Sequence, residues 1–196
     1  MSTLPIYLYG SEVLRKKARP IQKLDDAAIK LMYDLAETMH KANGIGLAAT
    51  QVGELRRMLV VDVSAIERGA REEDEGKPPL EQYESKVLVM INPEMKVTEG
   101  SVTMEEGCLS IPDLRAEVDR PEKIIVKYLD VNFEPAELTA NGLLARVIQH
   151  EADHLDGVMF VDRIGKTRRA LLRSELRKIQ KGEVDTSYPS ISSVEV

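Results

Sequence analysis

Three side chains set close together, His150, Glu151 and His154, are the residues of this chain best suited to chemistry. They stand in the run Asn141 to Asp156, NGLLARVIQHEADHLD. Its Leu143, Leu144, Val147, Ile148 and Leu155 recur at helical spacing and predict a helix with a buried face. Asn141 is a suitable N-cap, and no glycine or proline interrupts the run after Gly142. Residues four apart on a helix stack with Cβ atoms roughly 5–6 Å apart, so both imidazoles can reach one metal ion. Glu151 lies about 100° round from His150, beside such an ion without being a ligand. The pattern H-E-x-x-H is a metal-hydrolase signature. Its bland counterpart is a pair of satisfied histidines on a core helix.

A catalytic metal site keeps three protein ligands and leaves the fourth position for water. The chain has three histidines, and the last of them, His40, falls in another helical segment. Near the end of that segment the helix dipole favours a solvated imidazole over a ligand. One large metalloprotease class carries a third His ten residues after the first, but here that position is Phe160. The remaining soft donor is Cys108, the only cysteine, in Glu105-Glu106-Gly107-Cys108-Leu109-Ser110. One thiolate with two imidazoles suits zinc, iron(II), cobalt or nickel, and such an ion lowers the pKa of water towards ~7. Two rival readings stand beside this one. A zinc endopeptidase fits the helix motif alone, although the missing third His and the presence of Cys108 count against it. A non-enzymatic protein with a structural metal needs a fourth protein ligand, such as Asp153.

The elements that must position these groups can be read along the chain. Residues 1–24 look irregular, with Pro5, Gly10 and Pro20 as breakers. Asp25 or Asp26 caps a helix in which Ile29, Met32, Ala36 and Met39 share a face, and Asn43-Gly44 ends it. In Gly44-Ile45-Gly46-Leu47-Ala48-Ala49-Thr50-Gln51, two glycines flank one Ile, which describes a backbone that something approaches closely. Strands are expected at Met58–Val63, Val87–Ile91, Lys96–Thr103 and Lys123–Leu129, with a short one at Phe133–Thr139. Between the first two, the acidic stretch 66–86 reads as a solvated loop insert. Lys166 to Lys181 predicts a basic amphipathic helix with Leu172, Leu176 and Ile179 on its apolar face. The fold class is therefore α+β, with antiparallel or mixed sheets around a central metal-binding helix and a helix at each end. The expected organisation is one catalytic domain over 1–182 and a polar, disordered tail over 183–196. No run of ~18 apolar residues spans a membrane. A single cysteine and a start without a signal pattern fit a reducing bacterial cytoplasm. A net charge of −6 argues against general DNA or RNA binding.

Three motifs in order, GIGLAATQ (44–51), EGCLS (106–110) and QHEADHL (149–155), give the chain a resemblance to the peptide deformylases. Ile111-Pro112, Arg115-Ala116 and Asp156-Gly157 also look like that family, and the similarity runs from about Leu4 to Ile164. The resemblance implies removal of the N-formyl group from nascent polypeptides that begin with formylmethionine, releasing formate. It implies Cys108, His150 and His154 as metal ligands and Glu151 as the catalytic acid/base, with Gln51 and Leu109 assisting at the carbonyl. Ile45 and Gly46 would meet the peptide backbone, and Met104, Leu143 and Val147 would line the methionine pocket. Iron(II) is the implied native metal, with zinc common in isolated protein. Arg146 departs from the apolar residue expected on that helix face, and the 66–86 insert is longer than in many members. Between Arg163 and Gly182 stand eight basic residues and one acid, a +7 segment in a chain of net −6. That asymmetry points to ribosomal RNA as a partner of helix 166–181, against the alternative of a merely solvated face.

Overall fold

The computed structural model describes residues 2–64 and 87–193, so the acidic insert expected at 66–86 lies outside the described residues. In chain order the first elements are β1 (Ile6–Tyr7), α1 (Asp26–Lys41), β2 (Gly46–Ala48), β3 (Met58–Val61) and β4 (Leu88–Glu99). They are followed by β5 (Val102–Cys108), β6 (Ile111–Arg120), β7 (Lys123–Leu129), β8 (Pro135–Asn141) and α2 (Gly142–Leu155). The chain closes with α3 (Lys166–Leu171), α4 (Arg173–Gln180) and β9 (Ser190–Ile191).

The metal-binding helix expected from the sequence is α2, and every residue from Ala145 to Leu155 is buried. A helix buried all round must be covered on more than one side. One cover is the sheet β2-β3-β4-β7-β8, whose neighbours are all antiparallel. The alternation of β3 shows how that sheet is shared. Met58 and Val60 pack into a core with α1, whereas Leu59 and Val61 pack into a core with α2. A strand apolar on both faces is what a sheet between two helices requires. The other cover is the hairpin β5–β6. Its Ile111, Leu114, Ala116 and Val118 share a third core with Phe160, Leu176 and Ile179. That core anchors the C-terminal helix through Leu176 and Ile179, with Leu172 packed at its margin.

Several local expectations are corrected. Helix α1 is capped by Asp25, whose carboxylate accepts from Ala28 N–H, but it buries Ala28, Leu31, Met32, Leu35 and Met39 and leaves Ile29 exposed. The run expected as one strand at Lys96–Thr103 breaks at Gly100, which takes φ 73°, and its halves belong to two sheets. Strand β6 was not anticipated. Pro112 and Asp113, the latter at φ 59°, blur a register that then alternates Leu114, Ala116, Val118 and Arg120 inward. The basic helix is two pieces, α3 and α4, separated at Leu172. Of the tail expected as disordered over 183–196, residues 183–193 form a strap instead, and 194–196 lie outside the described residues: β9 pairs in parallel with β1, Ile6 with Ser190 and Tyr7 with Ile191. Its cohesion comes from backbone pairing to the opposite end of the chain, which low apolar content does not reveal.

Candidate metal centre and active site

Cys108 ends β5, and His150 and His154 are one turn apart on α2, so two elements converge on one point. The ligand-capable atoms of the three lie within 4.8 Å of one another. His154 Nε2 is 3.2 Å from Cys108 Sγ and 3.2 Å from His150 Nε2. Three soft donors crowded this closely suit a divalent ion of the zinc or iron class. His150 is also oriented as a ligand should be. Its Nδ1 sits 2.8 Å from the Glu106 carboxylate, which leaves Nε2 aimed at the trio. The donor set therefore fits the metal that the sequence implies. Among the described residues no fourth protein ligand joins it, and Asp153 is engaged elsewhere.

Glu106 belongs to a buried ionic network that sequence reading missed. Arg120 donates to both Glu106 oxygens, at 2.6 and 2.9 Å, and to Asp153 at 2.6 Å. Arg163 pairs with Asp153 as well. Arg146, the residue expected to disturb a pocket rim, donates to Glu106 at 2.8 Å and to the carbonyls of Val118 and Val102. It thereby ties α2 to both strands of the hairpin. Burial works to raise the Glu106 carboxyl, but the Arg120 fork and His150 hold it well below the usual carboxylate range. The acid that orients His150 is thus fixed as a carboxylate. Alternation along β5 and β6 carried a signal for this, since Glu106 and Arg120 fall on the inward register with Ala116 and Val118.

Glu151 lies on the other side of the trio and is 4 % exposed. Burial pushes its carboxyl up to about 7, and Glu106 adds to the rise while His150 opposes it. The glycine pair explains how close the β2 segment comes. A Cβ on Gly46 would stand 2.5 Å from Glu151 Oε1 and 2.7 Å from Val147 Cγ1, and one on Gly44 would stand 2.8 Å from Leu109 Cδ1. Gln51 is oriented by Ala48, whose N–H donates to Oε1 at 2.8 Å. That leaves Nε2 facing the site, 3.2 Å from Ser110 Oγ and 3.6 Å from Cys108 Sγ.

These groups open into a cavity of about 530 Å³. Ile45, Gly46, Gln51, Leu109, Leu143, Val147, Cys108, His150 and Glu151 all line it, whereas Met104, half-buried on β5, does not. Arg146 joins the lining, and so does the C-terminal strap through Asp185, Thr186, Ser187 and Tyr188. No sequence signal marked the strap. Burial, with the charges of Cys108 and Asp113, pushes the Tyr188 phenol up to about 12, so it is a neutral donor. His40 stays out of the site and pairs with Asp62 at 2.9 Å.

Comparison with known proteins bears on this geometry. A sequence model of the family described as polypeptide deformylase matches residues 3–170. The chain is 47 % identical over 190 residues to the peptide deformylase of Salinibacter ruber, covering 96 % of this chain and 94 % of that one. Among solved structures, a plant peptide deformylase superposes with a TM-score of 0.80 at 32 % identity, covering 93 % of this chain and 92 % of its own. The peptide deformylase of Ehrlichia chaffeensis, solved in complex with actinonin, gives 0.78 at 36 % identity, covering 94 % and 100 %.

Proposed function

The chain belongs to the polypeptide deformylase family, and from that premise we propose how its own residues carry out the reaction. The protein is a metal-dependent hydrolase that removes the N-formyl group from formylmethionine at the start of nascent polypeptides and releases formate. The observation that carries the mechanistic reading is the buried Glu151 beside the trio Cys108, His150 and His154, with Glu151, Cys108 and His150 lining one cavity.

Cys108, His150 and His154 would hold one divalent ion, whose Lewis acidity makes water nucleophilic near neutral pH. We take iron(II) as the native metal, with zinc, nickel or cobalt acceptable to the same donors. Glu151 accepts the proton of the attacking water and delivers it to the departing amine nitrogen. A carboxyl pushed up to about 7 by burial is matched to both tasks. As the formyl carbon becomes tetrahedral its oxygen gains charge. The Gln51 amide and the Leu109 N–H donate to it, and one such donor supplies about 3 kcal/mol in related chemistry. The substrate runs extended between the free edge of β2 at Ile45–Gly46 and strand β5, pairing as an added strand. Its methionine side chain enters between Leu143 and Val147, with the aliphatic stem of Arg146 as part of the wall and its charge spent on Glu106. The decisive assay is formate release from formyl-Met-Ala-Ser set against cleavage of a casein substrate, which a zinc endopeptidase would prefer.

The partner proposal rests on charge. Lys166, Arg169, Arg173 and Arg177 line a second cleft with Tyr9, Leu176 and Gln180. Among the described residues, Lys166, Arg173 and Arg177 form no ion pair. Such a face suits the phosphates of ribosomal RNA where formylated chains emerge. Among the described residues no helix is long and apolar enough to cross a membrane, and a bacterial cytoplasmic setting fits a protein whose substrate is nascent.

A further inference from the structure

The turn that joins Cys108 to β6 is clamped from outside its own hairpin. Cys108 pairs with Ile111, so only Leu109 and Ser110 form the connection. Tyr9 N–H donates to the Ser110 carbonyl at 2.8 Å, and Gln51 Nε2 lies 3.2 Å from Ser110 Oγ. Both partners come from the part of the chain that the family model matches. The third clamp does not. The Tyr188 hydroxyl donates to the Leu109 carbonyl at 2.6 Å, from a strap that lies beyond residues 3–170.

The strap is itself fixed just after Tyr188, and braced internally just before it. Ile6 N–H donates to the Pro189 carbonyl at 2.9 Å, and Leu8 N–H donates to the Ile191 carbonyl at 2.8 Å. The Thr186 hydroxyl donates to the Tyr188 carbonyl at 2.7 Å. The Tyr188 ring packs at the margin of the core that includes Met39, Ala42 and Leu47, where Leu109 packs too. The phenol oxygen is therefore a fixed point, and the Leu109 carbonyl is tethered to it. In a two-residue turn, holding both carbonyls leaves little torsional freedom for the N–H at its start.

We infer that Tyr188 is a positioning residue, whose hydroxyl acts through the Leu109 carbonyl to aim the Leu109 N–H at the formyl oxygen. The inference rests on the proposed role of that N–H as an oxyanion donor. A donor aimed at developing charge counts in the transition state and little in substrate binding. Full-length, metal-loaded Tyr188→Phe, which removes one oxygen and keeps the ring, should therefore split the kinetic constants. Its kcat for formyl-Met-Ala-Ser should fall on the order of tenfold, with KM changed less than twofold and metal content unchanged. Ser193→Ala is the control for a loosened strap, because it removes the hydroxyl that donates to the Gln180 carbonyl without touching the turn. It should lower Tm and leave kcat alone. An unchanged kcat in Tyr188→Phe, whatever its Tm, overturns the inference, as does an equal loss of kcat in Ser193→Ala. If the wild-type protein releases no formate, the functional reading has failed and takes this inference with it. If wild type is active and Glu151→Gln is not, a normal Tyr188→Phe refutes the positioning role alone.

Discussion

Replacing Gly46 with alanine adds one methyl group at the most confined point of the site. Its carbon would stand 2.5 Å from Glu151 Oε1, 2.7 Å from Val147 Cγ1 and 2.8 Å from Glu151 Cγ. Restoring an ordinary contact of 3.4 Å requires about 0.9 Å of movement. Strand β2 cannot supply it freely, because Gly46, Leu47 and Ala48 are buried and paired to Val61, Val60 and Leu59. Val147 is held in α2, which is packed on both faces. The Glu151 carboxylate therefore gives way, and a misplacement near 1 Å costs about 100-fold in rate, or about 2.7 kcal/mol. Overpacking should also lower the unfolding free energy by about 1–3 kcal/mol. The assay is kcat/KM for formyl-Met-Ala-Ser beside metal content, which should stay at one ion per chain because no ligand is touched. A kcat/KM within threefold of wild type, with the carboxylate unmoved in a crystal structure of the variant, would refute the reasoning.

Glu106→Gln leaves Arg120 and Arg146 without their shared carboxylate and His150 without its orienting partner. We expect a loss of about 3 kcal/mol in denaturant unfolding and metal binding weakened about 10- to 100-fold in a chelator competition; unchanged values in both would contradict this. For Asp162, burial works to raise the carboxyl, but the ion pair with Arg15 and the Met159 N–H lower it below 3.8. A carboxyl depressed in the folded state stabilises above its unfolded pKa and loses that contribution as pH falls through the folded value. The Tm gap between wild type and Asp162→Asn should thus be constant at neutral pH and shrink below about pH 4; a gap independent of pH down to acid unfolding argues against the pairing. Reversing the charge of Arg173 and Arg177 should reduce co-sedimentation with ribosomes in a salt-sensitive way while tripeptide deformylation is unchanged; undiminished co-sedimentation removes the docking proposal.

The histidine pair was legible in the sequence because a helix makes i,i+4 spacing rigid, so two histidines and a neighbouring acid could be placed without knowing the fold; Cys108 entered only as the single cysteine and through the family resemblance. The glycine pair was legible as a close approach, but its partners were not, since Glu151 and Leu109 arrive from distant elements. The network around Glu106 stayed hidden for a related reason. Glu106 and Arg120 fall on the inward register of β5 and β6, but β6 itself was not anticipated, and Arg120, Arg146 and Asp153 are assembled only by tertiary packing. Arg146 looked like an intrusion into an apolar wall and proves to be a tie between α2 and β5–β6. The strap was invisible because its order comes from pairing with β1, at the opposite end of the chain, and from a single phenol.

The most direct test of the account is Glu151→Gln, prepared without oxygen and assayed with its metal content measured. The account predicts one ion per chain retained on Cys108, His150 and His154, while formate release from formyl-Met-Ala-Ser falls by at least about 100-fold. A variant that loses the metal, yet turns over normally in its residual loaded fraction, would make Glu151 a structural neighbour of the site and contradict the assignment.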